Sequence, residues 1–519
     1  MSKALFKSTS VVSALTLLSR ILGLVRDVTL AAAFGGPMLD AFVVAQLIPN
    51  LGRRMFAEGA FSQAFIPVFT ETKTHQPHED VRELTAVVMG TLGGVLSVIT
   101  VIGCVAAPLM VWLFAPGFHS DPAKAVLGAD LLRWTFPYLM FISLTSMVGS
   151  VLNMYGQFAV PAFTPVILNL CIIGSAFIVP DSNPRAVYML AYAVCAAGIL
   201  QFLFQLPWLA RLRLLARPRW GWSDPRVRRI AALMGPVMIG SSVAQVSLLL
   251  NNSLATLVGN GAVSWLYYGS RLMEFPTGIF SIALGTVILP SLSAQHVQRS
   301  PQQFSATLDW GLRAMLLLGM PSAVGLIMLG GPLVATIFDH GHFSVEDVHM
   351  TTDVVWAYGL GFLGFSLVKV LVPGFYARQE TRLPVRYAMI GLFVGMAASL
   401  SMFGLARWLH FGAAHVVLAL STSLTAWINA MLLLRRLRRD GIYQPAAGWG
   451  RFSIRLLLAC MAMAGVLFYM AGGLESWLAA DKWARALRLT EVVLAAAAAY
   501  FAVLALCGLR PRHFRSARG

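Results

Sequence analysis

The sequence predicts an all-α polytopic membrane protein of about fourteen transmembrane helices, arranged as two parallel six-helix lobes followed by a C-terminal helix pair. Three observations predict it. Of 519 residues 58% are apolar and only 12% charged, whereas a typical soluble domain carries about 25% charged residues. Apolar runs of roughly 20 residues, enough to cross a ~30 Å hydrocarbon core at 1.5 Å per residue, recur from end to end. The chain also resembles itself at a fixed offset.

Bounded by charges or by Pro and Gly clusters, the runs place helices near residues 11–33, 38–68, 85–114, 128–153, 160–180, 186–208, 228–258, 262–292, 307–330, 350–375, 386–406, 413–434, 454–472 and 489–508. Residues 332–338 run toward the tenth of these, but the polar segment 339–350 interrupts them, which leaves 350–375 as the span. The first run superficially mimics a secretory signal, with Lys3 and Lys7 ahead of it and Ala31-Ala32-Ala33 behind. Arg20, Arg26 and Asp27 lie between the apolar run and that small-residue site, where a signal peptide carries no charge. The run reads as a retained helix.

The net charge of +17 is spread in short basic clusters between spans, where it meets lipid headgroups and not a nucleic acid. All five cysteines lie in or at the ends of apolar runs without CxxC spacing, so neither a disulfide framework nor a zinc site is expected. No GxxxxGK[ST] loop is present, and neither ATP hydrolysis nor any cofactor is expected. His340, His342 and His349 with Asp339, Glu346 and Asp347 read as a solvated connection, because such spacing without cysteine is a nonspecific metal signal.

With the N-terminus inside, the inner connections hold twenty-five Lys and Arg residues and the outer ones six: Lys124, Arg185, Arg407, Lys482, Arg485 and Arg488. That bias places both termini in the cytoplasm.

At an offset of 223, Phe42 falls on Trp265, Ala64-Phe65-Ile66-Pro67-Val68-Phe69 on Val287-Ile288-Leu289-Pro290-Ser291-Leu292, and Pro161 on Pro384. Six spans return the chain to its starting side, so the two copies share topology, as in transporters whose substrate site lies between parallel repeats. The expected divisions are a first lobe at 1–222, a second at 223–440, and a helix pair with a cytoplasmic tail at 441–519.

Eight basic residues remain inside spans: Arg20, Arg26, Arg53, Arg54, Arg133, Arg271, Arg313 and Lys369. Each charge at a helix centre costs roughly 2.5 to 3.5 kcal/mol on the lenient insertion scale, so such groups must meet water, a partner or a ligand. Ser13, Arg20 and Asp27 recur at spacing seven and share a helix face, with Arg26 at its edge. Pro49-Asn50-Leu51-Gly52 before Arg53 and Arg54 predicts a kinked or interrupted helix beside the charge. Arg54 can pair with Glu58, and Arg271 with Glu274 ahead of Pro276; Arg20 and Arg53 have no acid at helical spacing. A guanidinium is a permanent planar fork that matches phosphate oxygens, so unpaired arginines predict a phosphate-bearing anion. Lys369 can join them or snorkel, and Arg133 and Arg313, near span ends, read as interfacial.

The run Arg53-Arg54-Met55-Phe56-Ala57-Glu58-Gly59-Ala60-Phe61-Ser62-Gln63-Ala64-Phe65, with Ser264-Trp265-Leu266-Tyr267-Tyr268, Arg271-Leu272-Met273-Glu274-Phe275-Pro276 and Pro373-Gly374-Phe375-Tyr376, closely resembles the MurJ (MviN) lipid II flippases of the multidrug/oligosaccharidyl-lipid/polysaccharide (MOP) exporter superfamily. The resemblance covers essentially the whole chain. It implies a transporter, not an enzyme, that moves undecaprenyl-diphosphate-linked disaccharide-pentapeptide to the periplasmic face for peptidoglycan synthesis and cell shape. It further implies that Arg20, Arg26, Arg53 and Arg271 engage the diphosphate, and that Asp27, Asp40, Asn50, Arg54, Ser264, Glu274 and Lys369 line the cavity. The final helix pair would shelter the lipid tail. Some members carry an acidic residue in the seventh helix that helps bind sodium, but residues 230–258 hold neither Asp nor Glu. Membrane potential, worth about 2.3 kcal/mol per charge per 100 mV, is the expected energy source, and transient contact with the cell-wall synthesis machinery is an expected partnership. The alternatives are a flippase for another polyprenyl-diphosphate oligosaccharide and a multidrug exporter of the same fold, which would call for acids and aromatics in the cavity.

Overall fold

The computed structural model describes residues 3–55, 61–178, 186–408 and 413–508. Among these residues the regular elements are all helices, and ten helical segments are long and apolar enough to cross a membrane. The other four predicted spans fall on α1 (Lys3–Ala33), on α2 (Gly36–Met55) with α3 (Phe61–His75), on α10 (Pro225–Thr256) and on α11 (Ala262–Val297). The protein is a multi-pass membrane protein, and its outward faces carry what lipid demands: Leu487, Leu494 and Phe501 recur at spacing seven, all exposed.

One compact unit comprises residues 1–264 with 340–342. It contains α1 to α3, α4 (His78–Val105), α5 (Ala107–Phe114), a 3-10 turn (Pro116–Ser120), α6 (Pro122–Thr135), α7 (Tyr138–Met154), α8 (Ala159–Ile178), α9 (Ala186–Arg211) and α10. Its core joins Phe61, Phe65 and Phe69 of α3 to Leu84 and Val88 of α4 and Met147, Val148 and Val151 of α7. The connection into α10 lies flat on α4. Arg219 N donates to Ala86 O at 3.1 Å, and a side chain at Gly90 would run into the Arg219 backbone. Asp224 then caps α10 by accepting from Arg226 N at 2.8 Å.

The second unit comprises residues 265–339 with 343–519. It contains most of α11, then α12 (Pro301–Met328), α13 (Gly330–Ile337), α14 (Val345–Tyr376), α15 (Arg382–Trp408), α16 (Ala414–Arg439), α17 (Trp449–Ala471), α18 (Leu474–Leu478) and α19 (Lys482–Leu506). One core forms among α11, α12, α14 and α16, and another packs α17 and α19 on α12. These packing units are a different division from the repeat, because α10 begins the second repeat in sequence yet packs on α3 and α2.

The repeat extends to the element boundaries. α4 and α12 begin and end 223 residues apart, α5 and α13 do the same, and α1 and α10 end 223 apart. Even the caps correspond. Asp121 accepts from Lys124 N to start α6, and 223 residues on Ser344 accepts from Asp347 N to start α14. The copies differ at Pro137, whose missing amide divides α6 from α7; α14 runs unbroken through the matching Leu360.

Two expectations change. Of the second span, expected over 38–68, α2 and α3 are described and 56–60 lie outside the described residues. Pro49 does not interrupt α2, which runs from Gly36 to Met55. Close packing supports it there: Gly52 lies so near Leu139 of α7 that a Cβ would stand 2.7 Å from its Cδ1, and neighbouring helices make an internal proline tolerable in a membrane. The third span divides at Ala106 into α4 and α5.

Candidate functional site

On α1 the two arginines have different surroundings. Arg20 is exposed, with no hydrogen bond or ion pair among the described residues. Arg26 is held: its Nε and Nη2 donate to Asp27 Oδ1 at 3.0 and 2.7 Å, and its Nη1 donates to Asn169 Oδ1 of α8 at 3.1 Å. Asn169 Nδ2 donates in turn to Ser19 O at 3.0 Å. Asp27, expected to line the cavity, is buried against the half-buried Arg26. Breaking such an enclosed pair costs several kcal/mol, so Arg26 is committed in this conformation.

On α2, Arg53 Nε donates to Asn50 Oδ1 at 3.4 Å, one turn back. Both are half-buried, and Arg54 beside them is exposed with no carboxylate partner among the described residues. The expected Arg54–Glu58 pair falls outside the described residues.

Asp40 and Ser264, expected to line a cavity, are enclosed. Asp40 accepts from Gly261 N at 2.7 Å, Ser264 N at 2.9 Å and Ser264 Oγ at 2.7 Å. The first amides of a helix have no intrahelical acceptor and carry its positive dipole end, so Asp40 caps α11 from α2. Lys124 completes the site, its Nζ 3.0 Å from Asp40 Oδ2 and 2.9 Å from Asn260 Oδ1. Lys124, counted among the charges of the outer connections, is thus a buried counter-ion.

In the second unit Arg271 Nη1 lies 2.8 Å from Glu274 Oε2, and the guanidinium stacks over the Tyr267 ring at 4.8 Å. These side chains are 35% and 52% exposed. A pair so open is worth only a few tenths of a kcal/mol. Lys369 is exposed, with no hydrogen bond or ion pair among the described residues.

Two residues counted among the outer-connection charges are buried, and the sequence gives no sign of their partners. Lys124 is one. The other is Arg485, 7% exposed. It donates to Asp339 Oδ2 at 2.6 Å and to the carbonyls of Ala335, Ala480 and Leu478. No local spacing signals either pair. Asn169 did leave a signal, being an amide in the middle of an apolar run, where an unbonded polar group is costly. Arg133 with Asp130 and Arg313 with Asp309 are short-range helix pairs.

These geometries sit in a chain with known relatives. The family profile described as lipid II flippase MurJ matches residues 30–484. A probable lipid II flippase MurJ of Vibrio cholerae is 41% identical, with 99% of this chain and 98% of that one covered. The lipid II flippase MurJ of Burkholderia cenocepacia is also 41% identical, at 98% and 99% coverage. Among solved structures, a lipid II flippase MurJ in an inward closed conformation superposes with a TM-score of 0.77 at 24% identity, covering 95% of this chain and 98% of that one. An inward-facing multidrug resistance MATE transporter of the MOP superfamily gives 0.63 at 13% identity over 85% of this chain and 99% of that one; at these identities the likeness speaks for the fold. By sequence over its whole length and by fold, the chain belongs to the MurJ lipid II flippase family, with the architecture of the MOP exporters.

Proposed function

We propose that this protein is a lipid II flippase, carrying undecaprenyl-diphosphate-linked disaccharide-pentapeptide from the cytoplasmic to the periplasmic leaflet of the inner membrane. The two lobes, 1–222 and 223–440, rock about an arginine-lined cavity, and the pair in 441–519 shelters the lipid tail. Both termini are cytoplasmic.

The observation that carries this reading is Arg20, a guanidinium inside a long membrane helix with no acid beside it among the described residues. Such a charge is expensive unless a ligand or water meets it. Arg53 on an amide and Arg271 in an exposed pair supply further forks of the kind that suits a diphosphate. Arg26 keeps its part in the diphosphate site through exchange with Asp27 during the cycle, and Lys369 adds a point charge. Membrane potential acting on these charges supplies the energy.

Purified protein reconstituted in vesicles with lipid II tests this. Parent protein should move lipid II between leaflets, while Arg20→Ala and Arg53→Ala should lower the rate at least tenfold and the matching Lys variants should recover it only in part. Full-rate translocation by both Ala variants would overturn the diphosphate role. No translocation by the parent, with another polyprenyl-diphosphate saccharide moved instead, would overturn the choice of substrate.

A further inference from the structure

Two loops of the first unit cross between the repeats, and each rests a glycine on the end of a helix. The turn after α5 lies on the last turn of α10. Gly117 N donates to Thr256 Oγ1 at 3.0 Å and Ser253 Oγ donates to Phe114 O at 2.7 Å. A Cβ on Gly117 would run into the Thr256 carbonyl. The connection after α13 lies on the last turn of α1. His342 N donates to Ala32 O at 3.0 Å, and a Cβ on Gly341, at φ +62°, would run into that same Ala32 carbonyl.

The two contacts are related by the repeat. α1 and α10 end 223 residues apart, as do α5 and α13, and Gly117 and Gly341 lie within one residue of equivalence. Each repeat thus sets its loop on the first helix of the other. The last carbonyls of a helix have no intrahelical donor, which is why an incoming amide bonds well at Ala32. The approach is so close that only a residue without a side chain fits, yet each contact rests on one or two hydrogen bonds that water can replace. The Asp40 cap on Gly261 and Ser264 follows directly after both helix ends in the chain.

We propose that Gly117 and Gly341 are reciprocal latches that close the end of the bundle where α1 and α10 finish, and that they release together during transport. The proposal rests on the alternating-access reading. Because each latch holds the other repeat's first helix, drawing the repeats apart at that end opens both.

Cysteine cross-linking in membranes tests the coupling, in full-length protein with the five native cysteines replaced. Phe114→Cys with Ser253→Cys reports the first latch, and Ala32→Cys with His342→Cys the second. Gly341→Ala should lower the oxidative cross-linking yield at the first pair at least twofold. Thr256→Val, which exchanges the latch hydroxyl for a methyl of similar size and so keeps the test open should the glycine variant fail to fold, should lower the yield at the second pair by a similar factor. An unchanged yield at the distant pair in Thr256→Val would overturn the proposal, since a purely local role moves nothing on the other side. Bridging either pair should arrest lipid translocation until a reductant is added, and full-rate transport with a bridged pair would overturn it as well. The yields are read without substrate, so failure of the lipid II assignment, seen as an inactive unbridged parent, is distinguishable from failure of the latches.

Discussion

Asp40 of α2 accepts both the amide and the hydroxyl of Ser264, at 2.9 and 2.7 Å, while Lys124 neutralises the same carboxylate at 3.0 Å. We predict that Asp40→Ala, which leaves the lysine buried and unpaired, destabilises the fold by about 3 to 5 kcal/mol. Ser264→Ala should cost only about 1 kcal/mol. Adding Lys124→Met to Asp40→Ala should recover part of the loss. Thermal unfolding in detergent reads all three, and a double variant less stable than Asp40→Ala alone would contradict the buried-charge account.

The two α1 arginines should separate by assay. Arg26→Ala exposes Asp27 to burial without its counter-charge, so it should lose about 3 kcal/mol of stability along with activity. Arg20→Ala should stay within about 0.5 kcal/mol of the parent and lose translocation alone. Equal stability losses in the two variants would refute the distinction.

Arg485 bonds Asp339 and three carbonyls, pinning the turn between α17 and α19 to the end of α13. Arg485→Met should destabilise by about 3 kcal/mol or more and should raise amide hydrogen exchange at residues 472–481 before it changes exchange in α4. Uniform exchange across the chain would show that the pin is not local.

Asp224 lies outside the spans, where the hydrogen bond from the Arg226 side chain holds its carboxyl below the ordinary carboxylate value. A depressed carboxyl contributes stability above its unfolded value, near pH 4, and loses that contribution as pH falls through the lower folded value. Asp224→Ala should therefore cost about 1 kcal/mol at neutral pH, with the gap to the parent closing only below about pH 4. A gap already closed at pH 6 would show that the charge plays no part.

The fold was legible because its physics is local. Apolar length sets each span, and matched features at one offset give the repeat, whose helix ends coincide far more closely than the few matched residues required. At the candidate site, what the sequence makes legible is which charges lack a local partner, as at Arg20, which is exposed. The Asp40–Lys124 pair was not legible because it joins positions 84 residues apart, and a carboxylate near a helix start looks the same whether it faces water or caps another helix. The Arg26–Asp27 pair was hidden for the opposite reason. Neighbours in sequence point about 100° apart on a helix, yet a long guanidinium side chain folds back across that angle.

The identical lengths of α4 and α12, and of α5 and α13, act as a ruler. One residue inserted into α12 would turn everything after it by about 100° and advance it by 1.5 Å, carrying Gly341 off the Ala32 carbonyl and Asp339 away from Arg485. Mutational drift in this protein is thus free to repaint side chains across the lipid-facing surface while the residue count of these helices stays fixed.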